Sequence, residues 1–112
     1  MARRFLVAGA LALVQAAVAR GMTVARLPIP DGAVPEPAAA RALVDRLVAH
    51  AANGGRAVVH CRGGLGRAGT IAACCLVALG VEPVAAMRQV REVRPGAIEN
   101  PGQERFVARY GR

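Results

Sequence analysis

Residues 56–80 read RAVVHCRGGLGRAGTIAACCLVALG, an apolar run, a glycine cluster and a second apolar run with nothing between them. Ala57-Val58-Val59-His60, behind Arg56, has the length and branched content of a buried strand. The segment Cys61–Gly69 carries the glycines, and Thr70–Gly80 then continues as an apolar helix. Strand, glycine loop and helix in immediate succession form one arm of a βαβ unit, which implies parallel strands with helices packed on them. Ligands of such folds bind where the carboxyl end of a strand meets the following loop.

Two phosphate-binding patterns overlap in that loop. Gly64-Leu65-Gly66-Arg67-Ala68-Gly69 is a literal G-x-G-x-x-G, the dinucleotide fingerprint, in which glycines bring backbone close to a pyrophosphate. That fingerprint also needs an acid about twenty residues on, at the end of a second strand. The nearest acid is Glu82, directly before Pro83 at a helix start, so the pattern is weak here. The second pattern is His60-Cys61-Arg62-Gly63-Gly64-Leu65-Gly66-Arg67, a cysteine and an arginine separated by five residues. This spacing suits phosphoryl transfer to a thiolate. The N–H groups of Arg62, Gly63, Gly64, Leu65, Gly66 and Arg67 can curl around phosphate oxygens as an anion nest backed by the helix dipole. Arg67 can return over the nest and hold two oxygens with its guanidinium fork. The same positive field lowers the Cys61 pKa toward that of a reactive thiolate, and His60 sits behind the nucleophile to orient its loop. No metal or other cofactor is needed, since Arg67 and the amides supply the positive field.

Upstream, MTVARLPI predicts a strand over about Met22–Ile29, stopped by the turn Pro30-Asp31-Gly32. A helix follows from Pro37, with Leu43, Val44, Leu47 and Val48 at helical spacing and Asn53-Gly54-Gly55 as its stop. Downstream, Pro83 opens a helix that ends near Arg94-Pro95-Gly96, and a last helix runs from about Pro101 to Tyr110. The reading is an α/β fold, a parallel-type central sheet flanked by helices. Only two strands are visible, so the domain reads as shortened at its N-terminus unless an early segment also pairs. Residues 1–20 read as an N-terminal helix over FLVAGALALVQAAVA, ended by Arg20-Gly21, with residues 21–112 as the catalytic domain. Basic Met1–Arg4 and Ala17-Val18-Ala19 also mimic a signal segment, which leaves export as the alternative to a cytoplasmic location. The apolar run is too short to span a membrane.

Composition sets the outer limits. The 112 residues suffice for one domain, with 54% hydrophobic residues and only 3% aromatic, so Ala, Val and Leu must fill the core. All the basic side chains except the two histidines are arginines, and the net charge is +8, which points to an anionic partner. The arginines are spread along the chain and few aromatics are available to stack on bases, which argues against nucleic acid. Cys61, Cys74 and Cys75 are an odd number with no C-x-x-C pair, which suits a reducing compartment and excludes a zinc pattern. Cys74 and Cys75 lie about 10 to 12 Å beyond Arg67 along one helix axis, at ~1.5 Å per residue, and read as core.

HCRGGLGRAGT resembles the cysteine-dependent protein phosphatases, whose signature is His-Cys-x-x-Gly-x-x-Arg. The likeness is to the dual-specificity branch, with the kinase-associated phosphatases and their bacterial relatives. LPIPDG at 27–32 is similar to that family's general-acid loop, and GAIENPGQERF at 96–106 to its glutamine loop. The resemblance implies Cys61 as nucleophile, Arg67 as phosphate clamp, Asp31 as general acid and Gln103 as the residue that positions water. A substrate leaving from phosphorus needs a proton donor on a loop, and of the two aspartates only Asp31 lies in one. For Gln103 a solvated helix-start residue is the competing reading. The family's usual Ser or Thr after the signature arginine is replaced here by Ala68, so slow breakdown of a cysteinyl-phosphate is expected. Thr70 is the nearest hydroxyl and stands as a supporting residue. The implied partners are phosphorylated proteins or small phosphomonoesters, with a phosphate-binding module that does not turn over as the alternative.

Overall fold

In a computed structural model of the chain, residues 5–8, 23–25, 27, 29–30, 32–59 and 66–111 are described. Their elements are β1 (Phe5–Ala8), β2 (Thr23–Val24), α1 (Pro37–Ala52), β3 (Arg56–Val59), α2 (Gly66–Ala78), α3 (Pro83–Val93) and α4 (Pro101–Tyr110). Helix dominates, and the sheet is small. Its strand order is β2–β1–β3, with both neighbouring pairs parallel. Leu6 stands opposite Thr23 on one side of β1, and on the other Phe5 stands opposite Arg56 and Ala8 opposite Val59.

Two sequence expectations need correction. Phe5–Ala8 form a strand in the middle of this sheet, not the start of an N-terminal helix. A four-residue apolar run has no periodicity that separates a buried strand from a helix turn. Partners on both sides decide it, and both are distant in sequence. The remainder of the expected helix lies outside the described residues. The strand expected over 22–29 contracts to Thr23–Val24, because Pro28 and Pro30 lack the N–H that a ladder requires.

Three helices begin with the same device, a side-chain cap followed by proline at the first helical position. Glu36 accepts from Ala39 N at 2.8 Å, Glu82 from Ala85 N at 3.2 Å, and Asn100 Oδ1 from Gln103 N at 2.9 Å. Glu82 is therefore a helix cap, as its place before Pro83 suggests. The α1 helix stops at Asn53, and Gly54 at φ 80° takes the left-handed conformation that turns the chain toward β3.

The α2 helix is the hub, packed against α1, α3 and α4. Its Ala73 and Cys74 join Val44, Ala86, Ala97, Ile98, Val107 and Tyr110 in one buried cluster, while Ile71 joins Ala25, Ala40, Leu43 and Leu47 in another. Small residues let the helices approach closely. A Cβ on Gly69 would stand 2.9 Å from Ala97 Cβ and 3.1 Å from Ile98 N, so this glycine lets α2 lie against the 97–98 backbone. That backbone is itself strained, with buried Ile98 at φ 57°. Arg91 holds it in place, donating from Nε to Ala97 O at 2.9 Å and from Nη2 to Ile98 O at 2.6 Å. The same Nη2 lies 2.9 Å from Glu104 Oε2 on α4. The segment leading to Asn100 is thereby fixed to both α2 and α3.

Candidate functional site

The β3 strand ends at Val59, and α2 starts at Gly66. Of the residues singled out in the sequence, Gly66, Arg67, Thr70 and Gln103 are described, whereas Asp31, His60, Cys61, Arg62, Gly63, Gly64 and Leu65 lie outside the described residues.

Gly66 is buried at the first turn of α2, and the Glu99 carboxylate fills the space a Cβ would take there. Arg67 is half-buried and donates from Nη1 to Ile29 O at 2.8 Å. This bond ties the start of α2 to the segment that runs into Pro30-Asp31-Gly32. It uses one Nη group of a fork that carries five N–H donors. Thr70 is 1% exposed, and its hydroxyl donates to Gly66 O at 2.7 Å, one turn back in its own helix.

Gln103 is 0% exposed, which removes the solvated helix-start reading. Its Oε1 accepts from Glu99 N at 2.8 Å, and its Nε2 donates to Ala33 O at 3.4 Å. Beside it stands a residue that the sequence reading passed over. Asn100 caps α4 with Oδ1 and donates from Nδ2 to Gly32 O at 2.8 Å. Its position before Pro101 marks it as a cap, but nothing local marks its second partner. Ile29 on one side and Gly32-Ala33 on the other are thus each held by a distant side chain. Arg67 takes Ile29 O, while Asn100 and Gln103 take Gly32 O and Ala33 O.

The other two thiols belong to the core. Burial pushes the Cys74 thiol up to about 12, helped by the neighbouring Cys75, and burial alone pushes Cys75 up to about 11. No three His, Cys, Asp or Glu side chains of the described residues come together as a metal site. None of the described helices is long and apolar enough to cross a membrane.

The model of the family described as "PTP-SAK: Swiss Army Knife protein, DSP-PTPase phosphatase domain" matches residues 12–107. Cyclin-dependent kinase inhibitor 3 of Rattus norvegicus is 34% identical over 86 residues, covering 74% of this chain and 41% of its own. The chain thus spans about two fifths of the length of that curated relative. Among solved structures, Tk-PTP in its active form superposes with a TM-score of 0.85 at 27% identity, over 98% of this chain and 80% of that one. Kinase-associated phosphatase, solved with serine in place of its catalytic-site cysteine, gives 0.82 at 25% identity, over 92% of this chain and 65% of its own.

Proposed function

The chain belongs to the DSP-PTPase phosphatase-domain family, and from that membership we propose that it hydrolyses phosphomonoesters through a cysteinyl-phosphate formed on Cys61. The Cys61 thiolate attacks phosphorus as the bond to the leaving oxygen breaks, and Asp31 gives that oxygen its proton. Water then attacks phosphorus, the sulfur–phosphorus bond breaks, and the Asp31 carboxylate takes the water's proton as inorganic phosphate leaves. Arg67 and the amides of residues 62–67 hold the equatorial oxygens. Gln103 is assigned the placing of the water, and its weakly bonded Nε2 supports that role. His60 orients the loop, and Thr70 supports it by bracing the first turn of α2.

The observation that carries this reading is the 2.8 Å bond from Arg67 Nη1 to Ile29 O, which joins the helical end of the signature to the segment bearing Asp31. The three short parallel strands support a central sheet with the loop at its carboxyl edge. Phosphorylated proteins and small phosphomonoesters are the proposed substrates, in a reducing, cytoplasmic compartment that suits an odd cysteine count. Ala68 favours a second reading, a domain that binds phosphate but releases it slowly or not at all. The two separate in hydrolysis of p-nitrophenyl phosphate at pH 5 to 7 with EDTA present. Vanadate-sensitive turnover, lost in Cys61→Ser and reduced in Asp31→Asn, is the enzyme's result. Absence of turnover from folded protein is the binding module's result.

A further inference from the structure

We propose that Asn100 is a positioning residue for proton transfer, a role that rests on the reading of Asp31 as general acid. Capping α4 needs only an oxygen, which Ser, Thr or Asp would supply equally well. Asn adds an N–H donor, and this donor is used on a segment 68 residues earlier, at 2.8 Å from Gly32 O. Gly32 follows Asp31 directly. It adopts φ 76°, and next to it Ala33 N–H donates to Pro30 O at 2.9 Å.

The anchor behind Asn100 is firm. The α4 helix starts at Pro101 with Gln103 fully buried beside it, and the preceding Ala97-Ile98 backbone is packed on Gly69 and bonded by Arg91. A donor on so fixed a base sets where the Gly32 carbonyl stands, and Asp31 is the residue directly before it in the chain. Arg67 at Ile29 O restrains the opposite end of the segment. With Asn100 removed, Gln103 retains its 3.4 Å contact with Ala33 O, too long to replace it.

The test compares phenyl phosphate with p-nitrophenyl phosphate in the wild type, Asp31→Asn and Asn100→Ser. A poor leaving group depends on the general acid far more than a good one. Asn100→Ser keeps the cap oxygen and removes the long donor. Its turnover is expected to fall about tenfold more on phenyl phosphate than on p-nitrophenyl phosphate, the fold-change one hydrogen bond carries. Asp31→Asn is expected to fall further in the same direction. Hydrogen exchange at the Gly32 and Ala33 amides should quicken in Asn100→Ser while that of α4 holds. A purely structural cap would leave both the substrate ratio and the loop exchange as in the wild type, and either result overturns the proposal. If Asp31→Asn shifts the ratio and Asn100→Ser does not, the general acid stands and Asn100 falls. If the wild type hydrolyses neither ester, or Asp31→Asn leaves the ratio unchanged, the reading of Asp31 fails and takes this role with it. Should the serine variant unfold, Asn100→Asp, which has the same shape and cap but no N–H, is expected to show the same shift.

Discussion

Arg67 Nη1 lies 2.8 Å from the carbonyl oxygen of Ile29, thirty-eight residues earlier in the chain. On the proposed reading the guanidinium has two tasks, to hold phosphate and to tie down the segment that leads to Asp31. A lysine supplies a point charge but not a planar fork. Arg67→Lys is therefore expected to remain folded and to lose about a hundredfold or more in kcat/KM for p-nitrophenyl phosphate, the scale of a lost preorganised donor. Circular dichroism and steady-state kinetics on one preparation check both halves. Turnover within threefold of the wild type would contradict the bidentate assignment.

Gly66 and Gly69 belong to the same glycine pattern but differ in what surrounds them. A Cβ at Gly69 meets Ala97 Cβ and the Ile98 backbone, neither of which can swing aside. At Gly66 it meets the exposed end of Glu99, which can. Gly69→Ala is expected to destabilise the fold by about 1 to 3 kcal/mol, as overpacking does. Gly66→Ala should leave stability nearly unchanged. Urea titrations of the two variants decide it.

Cys74 and Cys75 are held well above the ordinary thiol pKa of 9.0, at about 12 and about 11, because burial disfavours their thiolates. At pH 7 iodoacetamide should therefore add once per folded chain, on Cys61, and not at all to folded Cys61→Ser. The pH dependence of stability follows with a definite sign. Below pH 9 both folded and unfolded thiols keep their protons and contribute no slope. Above it the unfolded chain releases protons that the folded chain retains, so stability falls as pH rises from about 9 toward 12. Tyr110, raised mainly by burial, adds in the same direction. Denaturation midpoints measured from pH 7 to 11 should show a plateau and then a decline.

Gln103 joins Glu99 N to Ala33 O from a fully buried position. Gln103→Ala leaves the part-buried Glu99 N–H without this partner and a void behind, at an expected cost of about 2 kcal/mol. If it also places the water, the phosphoenzyme of the variant should break down more slowly than that of the wild type. Stability loss with unchanged breakdown would reduce Gln103 to a brace.

What the sequence made readable, and what it hid, follows from the range of the forces. The helices at Pro37, Pro83 and Pro101 carry their start signals within three residues, and Asn53-Gly54 carries a stop, so their limits can be read locally. Phe5–Ala8 carries no such signal. Its strand exists because Thr23–Val24 and Arg56–Val59 flank it, which no window of neighbouring residues contains. At the site, Arg67 and Gln103 were legible as residue types in a pattern, but their bonds to Ile29 and Ala33 cross 38 and 70 residues. Asn100 reads as a helix cap and nothing more, because its donor's partner lies 68 residues away. Gly69 misleads in the opposite way. It completes a phosphate-loop pattern, yet the neighbours a Cβ would meet are Ala97 and Ile98, which is a packing requirement.

The central claim is the bond between Cys61 sulfur and phosphorus. It is tested most directly by mixing the protein rapidly with a ³²P-labelled aryl phosphate, quenching in acid, and mapping the label by peptide. With Ala68 in place of the family's hydroxyl, breakdown is expected to limit turnover, so label should accumulate on the peptide containing Cys61 as a burst of phenol appears. Turnover without a burst and with no label on that peptide would contradict the account.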